Sequence, residues 1–291
     1  MNPITTRCFI LAWALFLNEM FLNEMMLGKM TAQNPSTHHA QVELLAERPA
    51  ASPGQELWLG VRFTLEKDWH IYWINPGDSG QPPVFKWSLP QGFNVGTVQW
   101  PKPEKLQTSS LADYGYKDQV MLLVPIQVAP APNSATASSK ADIVLDAKWL
   151  VCREVCIPDH AQKRLSLPVS SSSAQGSQNL DHASLFAAAR KLLPKPLPAS
   201  WKAQATDSHD NFILAITAPK AIAKAEFFPL EAEQIENAAP QVAHPLPKGI
   251  RLTLKKSDQL LKPIASLKGL LVLPGGDAYQ LEAPVAQASG R

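Results

Sequence analysis

Cysteine is scarce in this chain: three in 291 residues, at positions 8, 152 and 156. A scaffold stapled by several disulfides is excluded, and any sulfur chemistry is confined to these few positions. Charge is thin as well. Lysine and arginine total 27 against 25 aspartates and glutamates, a formal net charge of +2 with no run of one sign, so there is no electrostatic footprint for nucleic acid or an anionic membrane. Long apolar runs are missing beyond residue 33, where proline, charge or polar residues break each candidate before the ~18 residues that a spanning helix needs. The mature chain is expected to be soluble. Glycine is outnumbered by proline, 14 to 26, and with many short apolar runs this suits a mostly β protein rather than a helical bundle.

What is present, 45% hydrophobic and 18% charged residues, is too apolar for disorder and too long for one small domain, so two globular units are expected. Residues 1–32 read as a signal peptide: Arg7 supplies a positive charge, Cys8 to Leu17 form a short apolar run, and a small-residue site follows near Ala32. Phe-Leu-Asn-Glu-Met occurs twice, at 16–20 and 21–25, and Glu19 and Glu24 argue against a retained anchor. Export would remove Cys8 and leave Cys152 and Cys156 as an isolated pair, able to form a disulfide in an oxidising compartment.

Leu57, Leu59, Val61, Phe63 and Leu65 alternate with mostly polar neighbours, the signature of a half-buried strand. Further strands are expected at 120–128, 143–151 and 165–169, with Pro-Gly turns and Pro-Lys-Pro connections at the spacing of an immunoglobulin-like sandwich over 33–169. Ser170 to Ser173 and the Ala-Gln-Gly-Ser-Gln-Asn that follows cannot add to a core, so 170–200 is assigned to a linker and a short helix. That helix would be capped by Asp181 and stopped by Pro194, with Leu185, Phe186, Ala189, Leu192 and Leu193 on one face. It is expected to pack between the domains or onto the second. Strand-like runs at 212–216, 250–254, 270–273 and 279–283 predict a second, smaller β-sandwich over 201–291, without cysteine and with a structural or docking role.

The dense chemical signal is Cys152-Arg-Glu-Val-Cys156. In one continuous strand the two Cα atoms would lie roughly 13 Å apart, beyond the ~7 Å limit for a disulfide, so Arg153 to Val155 must turn if the pair is bonded. A hairpin tip or a single helical turn would do. Alternation puts Ile143, Leu145, Ala147, Trp149 and Val151 on one face and Val144, Asp146, Lys148, Leu150 and Cys152 on the other. Since Asp146 and Lys148 are poor core residues, Cys152 is expected on the accessible face, where an exchanging thiol must be, with Arg153 favouring its thiolate. Three readings stand on these residues: thiol-disulfide exchange first, then a structural bridge, then a soft-metal site in which Cys152 and Cys156 bind Cu(I) with His160 as third ligand.

Gly77-Asp78-Ser79-Gly80-Gln81-Pro82 looks like the nucleophile loop of chymotrypsin-type serine proteases, but there the base and the acid precede the serine by a whole barrel's length of chain. Only about 46 mature residues precede Ser79. A Pro-Gly turn is the reading kept. His38 and His39 read as a solvated tail, while His70, His160, His182, His209 and His244 show no ligand spacing among themselves. Trp58, Trp69, Trp73, Trp87, Trp100 and Trp149 read as sandwich core.

Trp69-His-Ile-Tyr-Trp73, Asn75-Pro-Gly-Asp-Ser-Gly80, Leu111-Ala-Asp-Tyr-Gly-Tyr116 and Lys148-Trp-Leu-Val-Cys-Arg-Glu-Val-Cys-Ile-Pro158 together resemble the N-terminal periplasmic domain of DsbD-type thiol:disulfide interchange proteins, including the ScsB-like members linked to copper tolerance. The resemblance spans roughly residues 40 to 170, and Phe227-Phe-Pro229 is similar to the second domain of ScsB-like members. It implies an immunoglobulin-like, periplasmic protein-disulfide reductase component without a cofactor or small-molecule substrate. Cys152 and Cys156 would take electrons from a thioredoxin-like domain or membrane conduit and pass them to periplasmic disulfide proteins. Cys156 would form the mixed disulfide with the donor. Asp113, Tyr114, Gly115 and Tyr116 are similar to the family's mobile cap loop, with Asp113 where the family carries an aromatic. The conduit and the C-terminal thioredoxin-like domain are not in this chain, which would work with a separately encoded conduit or, as the alternative, in copper handling.

Overall fold

Strand alternation organises the molecule. In a computed structural model that describes residues 38–108, 110–130, 140–169 and 182–287, ten strands precede one helix and eight follow it. The expected signal peptide, the Ser170–Ser173 stretch and the Asp181 cap lie outside the described residues. The first ten are β1 (Ala40–Ala46), β2 (Glu56–Leu65), β3 (His70–Gly77), β4 (Val84–Ser88), β5 (Phe93–Val95), β6 (Glu104–Thr108), β7 (Leu111–Lys117), β8 (Gln119–Val128), β9 (Lys140–Cys152) and β10 (Cys156–Pro168). After the helix α1 (Ala183–Lys191) come β11 (Lys195–Pro196), β12 (Lys202–Ser208), β13 (Asn211–Thr217), β14 (Glu226–Pro229), β15 (Val242–Leu246), β16 (Gly249–Lys255), β17 (Ser266–Val272) and β18 (Ala278–Gln287).

The first ten strands make two sheets, β1-β2-β8-β5 and β10-β9-β3-β7-β6, with β4 added to β9. Their inner faces share one core, in which Leu57, Leu59, Val61 and Phe63 of β2 meet Ile143, Leu145, Ala147 and Trp149 of β9. This is the immunoglobulin-like sandwich that the alternation predicts. β10 runs well beyond the expected 165–169, because it pairs with β9 residue for residue from Cys156↔Cys152 to Pro168↔Lys140. Its alternation is muted by polar residues on both faces, so the sequence signal is weak along most of its length.

The remaining strands form one sheet in the order β14-β17-β18-β12-β13-β16-β15, with β11 beside β18. β18 pairs with β17 over its first part and with β12 over its last, so the sheet turns about this strand. Phe212, Leu214, Ile250 and Leu252 from one limb and Leu267, Leu271 and Leu281 from the other share a second core. Phe228 and Leu270 face the first core instead, and the described residues from His39 onward pack as one compact unit.

The helix is placed differently from expectation. It packs on the outer face of the first sheet, where Phe186 and Ala189 meet Met121 and Leu123 of β8. β8 is apolar on both faces, so a sheet face that would otherwise be wet needs a cover. Gly60 leaves the notch for it, since a Cβ there would meet the Phe186 ring at 3.2 Å. Arg190 fixes the helix end through two bonds to the Glu47 carboxylate, at 2.5 and 2.8 Å, and lies over the Trp58 ring. Leu185 and Leu192, expected on the buried face, are exposed.

Two outcomes follow from this packing. Replacing Phe186 with alanine removes a fully buried ring and should destabilise the protein by about 3 kcal/mol, read as a lowered urea midpoint. The second concerns His70, at the start of β3, whose imidazole pKa is lowered, chiefly by burial and in part by Lys117, against an opposing pull from Asp113. As pH falls below the imidazole's ordinary value of about 6.5 the unfolded chain takes up a proton that the folded chain refuses, so stability is lost on the acid side and present above it. Urea midpoints at about pH 7.5 and about pH 5.5 should therefore differ less in His70→Gln than in the native protein.

Candidate functional site

The hairpin between β9 and β10 brings the two cysteines face to face. Arg153, Glu154 and Val155 form its exposed tip, so the turn that a bonded pair requires is a hairpin rather than a helical turn. Cys152 and Cys156 are directly opposed with Cα atoms 4.2 Å apart and are joined as a disulfide. Their exposure is unequal. Cys152 is 2% exposed, whereas Cys156 is open to solvent. Cys152 sits on the β9 face that carries Asp146 and Lys148, as alternation requires, but that face is covered at this end.

The cover is Tyr72 of β3. His70 opposes Cys152 across β3 and β9, and Tyr72, two residues on, projects to the same side. Its hydroxyl lies 3.1 Å from Cys152 Sγ and 3.3 Å from Cys156 Sγ. Bonded sulfurs carry no proton, so the hydroxyl donates to them. Burial pushes the phenol pKa up, the Ser79 contact opposes this and the Asp113 charge adds to it, and the ring remains a neutral donor around neutral pH. The ring of His70 meets that of Tyr72 edge to face at 5.3 Å.

Behind Tyr72 stands the Gly77–Gly80 turn. Gly80 has φ +76°, and a Cβ on it would come within 2.0 Å of the Tyr72 ring, so this contact admits only glycine. Asp113 holds the turn: its carboxylate accepts from the Ser79 amide at 2.8 Å and the Ser79 hydroxyl at 2.7 Å. Asp78 accepts from the Ala112 amide at 2.7 Å and from the Asn237 side chain at 2.8 Å. Ser79 is thus a structural donor, which agrees with reading the segment as a turn.

The residues expected as a cap loop are placed elsewhere. Asp113, Tyr114, Gly115 and Tyr116 lie within β7, paired with β3 on one side and β6 on the other. Tyr114 and Tyr116 are buried; the Tyr114 hydroxyl donates to Asn237 and the Tyr116 hydroxyl to the Pro101 carbonyl. Alternation accounts for this, since these tyrosines fill the core face of a central strand, while Asp113 and Gly115 reach the Tyr72 side. Arg153 is also engaged differently, lying over the Trp69 ring at 5.2 Å. His39 stacks on that ring at 3.7 Å and bonds Glu66, so it belongs to the folded unit and not to a solvated tail.

The structure does not bring His160 to the cysteines. It lies on the same face as Cys156 but opposes Lys148, four residues along a straight strand, which puts its Cα roughly 13 Å from that of Cys156. That is beyond the reach of two side chains sharing one ion. Among the described residues no group of three or more histidine, cysteine, aspartate or glutamate side chains could hold a metal. Sequence reasoning missed Tyr72 and Asn237; the alternation of Trp69-His-Ile-Tyr-Trp73, which separates His70 and Tyr72 from the core tryptophans, carried a signal for the first.

The chain is similar over 87% of its length to the N-terminal periplasmic domain of ScsB from Proteus mirabilis, with 16% identity, a TM-score of 0.64 and 96% of that chain covered. It also matches the reduced N-terminal domain of DsbD from Neisseria meningitidis, at 18% identity and a TM-score of 0.25, over 44% of this chain and 85% of that one. No curated protein sequence matches the chain. The family model for the N-terminal part of the thiol:disulfide interchange protein DsbD matches residues 41–168, the segment that contains the sandwich, the hairpin and Tyr72. That segment, less than half of the chain, is similar to a DsbD-type N-terminal domain.

Proposed function

We propose that the protein is a periplasmic thiol:disulfide exchange component that relays reducing equivalents through Cys152 and Cys156 from a thioredoxin-like or membrane-bound donor to periplasmic disulfide proteins. The observation that carries this reading is the asymmetry of the bridge: an exposed Cys156 bonded to a buried Cys152 under a phenol that reaches both sulfurs. A structural bridge gains little from closing a three-residue tip, because the loop entropy removed from the unfolded chain is small.

The exchange is written on these atoms. A donor thiolate attacks Cys156 Sγ, the accessible sulfur; the Cys152–Cys156 bond breaks, a mixed disulfide forms at Cys156, and Cys152 leaves as a thiolate. The Tyr72 hydroxyl donates to that thiolate without losing its proton. The donor's second thiolate then attacks its own sulfur in the mixed disulfide and releases Cys156 as a thiolate. Two electrons have entered the pair and the donor has become a disulfide. Running the same steps in the opposite sense reduces an acceptor's disulfide. The similarity to the ScsB domain, periplasmic by its description, supports that compartment, and no helix among the described residues is long and apolar enough to cross a membrane.

Cys152→Ser leaves Cys156 free to be trapped, so it should accumulate mixed disulfides with a reduced thioredoxin-like protein after mild oxidation, whereas Cys156→Ser should trap at least ~10-fold less because its remaining thiol is buried. Non-reducing gels and mass spectrometry read both. A native bridge that resists reduced thioredoxin-like donors until the protein is unfolded would overturn the exchange reading in favour of a structural disulfide.

A further inference from the structure

The buried polar side chains of the described residues are Asn75, Asp113, Gln234 and Asn237, and two of them, Asn75 and Asn237, bond across the junction between the C-terminal half and the strands behind the disulfide. Asn75 of β3 donates to the carbonyls of Pro229 and Glu231, and Gln234 bonds the Glu231 carboxylate. Asn237, from the segment between β14 and β15, both accepts from Tyr114 and donates to Asp78. A junction that served only to dock two halves would be met by apolar contacts such as Tyr114 against Phe228, at 4.9 Å. Burying amides costs free energy unless each is bonded, so their concentration here calls for a further role.

We propose that Asn237 is a positioning residue for the cysteine pair. It acts through Asp78 and the Gly77–Gly80 turn on the Tyr72 hydroxyl, and thereby makes the C-terminal half part of the redox site; the role rests on the exchange reading above. The path is continuous. Asn237 holds one oxygen of Asp78 while the Ala112 amide holds the other; the turn so fixed, with Ser79 on Asp113, presses Gly80 on the Tyr72 ring; and the ring carries its hydroxyl to both sulfurs. When the bridge opens, negative charge appears on sulfur in a buried place. A donor already fixed at hydrogen-bond distance favours that thiolate, whereas a ring free to turn away does so less.

The test is the pH dependence of iodoacetamide alkylation of the reduced protein, followed by mass spectrometry, with circular dichroism as a check on folding. The midpoint of this profile reports thiol ionisation; the plateau rate reports access. Tyr72→Phe should raise the midpoint by about one unit, about tenfold less thiolate at a pH below both midpoints. Asn237→Ala should shift it in the same direction, and should add little in a Tyr72→Phe background, because both substitutions remove one interaction. A folded Asn237→Ala protein with the native midpoint overturns the proposal, as does a shift that persists in full without the phenol. If Asn237→Ala does not fold, Asp78→Asn, whose single carbonyl oxygen cannot accept from both the Ala112 amide and Asn237, is read by the same criteria. Alkylation needs no redox partner. A protein whose midpoints shift together but whose bridge refuses thioredoxin-like donors would sink the exchange reading and leave the coupling standing.

Discussion

A buried amide left without hydrogen bonds costs free energy, and at Asn75 and Asn237 this constraint fixes the geometry behind the disulfide. Asn75 can satisfy its amide only if the Pro229 and Glu231 carbonyls stand beside β3, and Asn237 only if Asp78 and Tyr114 stand where they do. The C-terminal sheet is thereby held in one orientation against the first sandwich, more tightly than apolar contact between Phe228, Leu270 and the first core would require. Apolar contacts tolerate sliding; directional bonds between buried amides do not. The partly buried ion pair of Lys105 with Glu226, at 3.1 Å, joins the same two regions.

The register of the β9–β10 hairpin decides what that geometry acts upon. With Cys152 opposite Cys156, the sulfurs emerge on the outer face of the sheet, at the end where β3 comes alongside. A shift of one residue in that pairing would turn one cysteine toward Trp149 and the core, and the bridge could not form. The covered face raises a difficulty of its own, since burial disfavours a thiolate at Cys152. Arg153 does not relieve this directly, its guanidinium being stacked on Trp69, and the Tyr72 phenol is the donor in reach of both sulfurs. In the proposed exchange the phenol stabilises the leaving thiolate while Cys156 meets the partner.

Much of this was legible in the sequence because strand alternation is a local signal. The run from Leu57 to Leu65 declares its inner face residue by residue, and β9 declares that Cys152 faces away from Trp149. Residue order does not tell which face is covered. Cys152 was expected to be accessible because Asp146 and Lys148 share its face, yet the cover comes from Tyr72, eighty residues earlier in the chain. The Tyr114 and Tyr116 expectation failed for a related reason: a short aromatic motif reads equally well as a loop or as a strand, and only pairing with both β3 and β6 makes it a central strand. The helix was misplaced because the need for it lies in β8, whose apolar residues on both faces require a lid from elsewhere. Asn237 carried no signal at all, being one amide in a polar stretch.

Asp113 shows how a local departure can be informative. The resemblance expects an aromatic at this position, on a loop over the cysteines; the chain has a carboxylate on a strand, anchoring the Gly77–Gly80 turn through Ser79. An aromatic there could accept neither bond, and the turn would lose the anchor that keeps Gly80 against Tyr72. In this chain the cover over the sulfurs is a strand residue whose ring is held from behind. A loop-borne shield opens by moving itself, whereas Tyr72, fixed in β3 between two strands, changes its contact with sulfur only if the turn behind it yields. That turn is bonded to Asn237, and so the freedom of the cover depends on the C-terminal half of the chain.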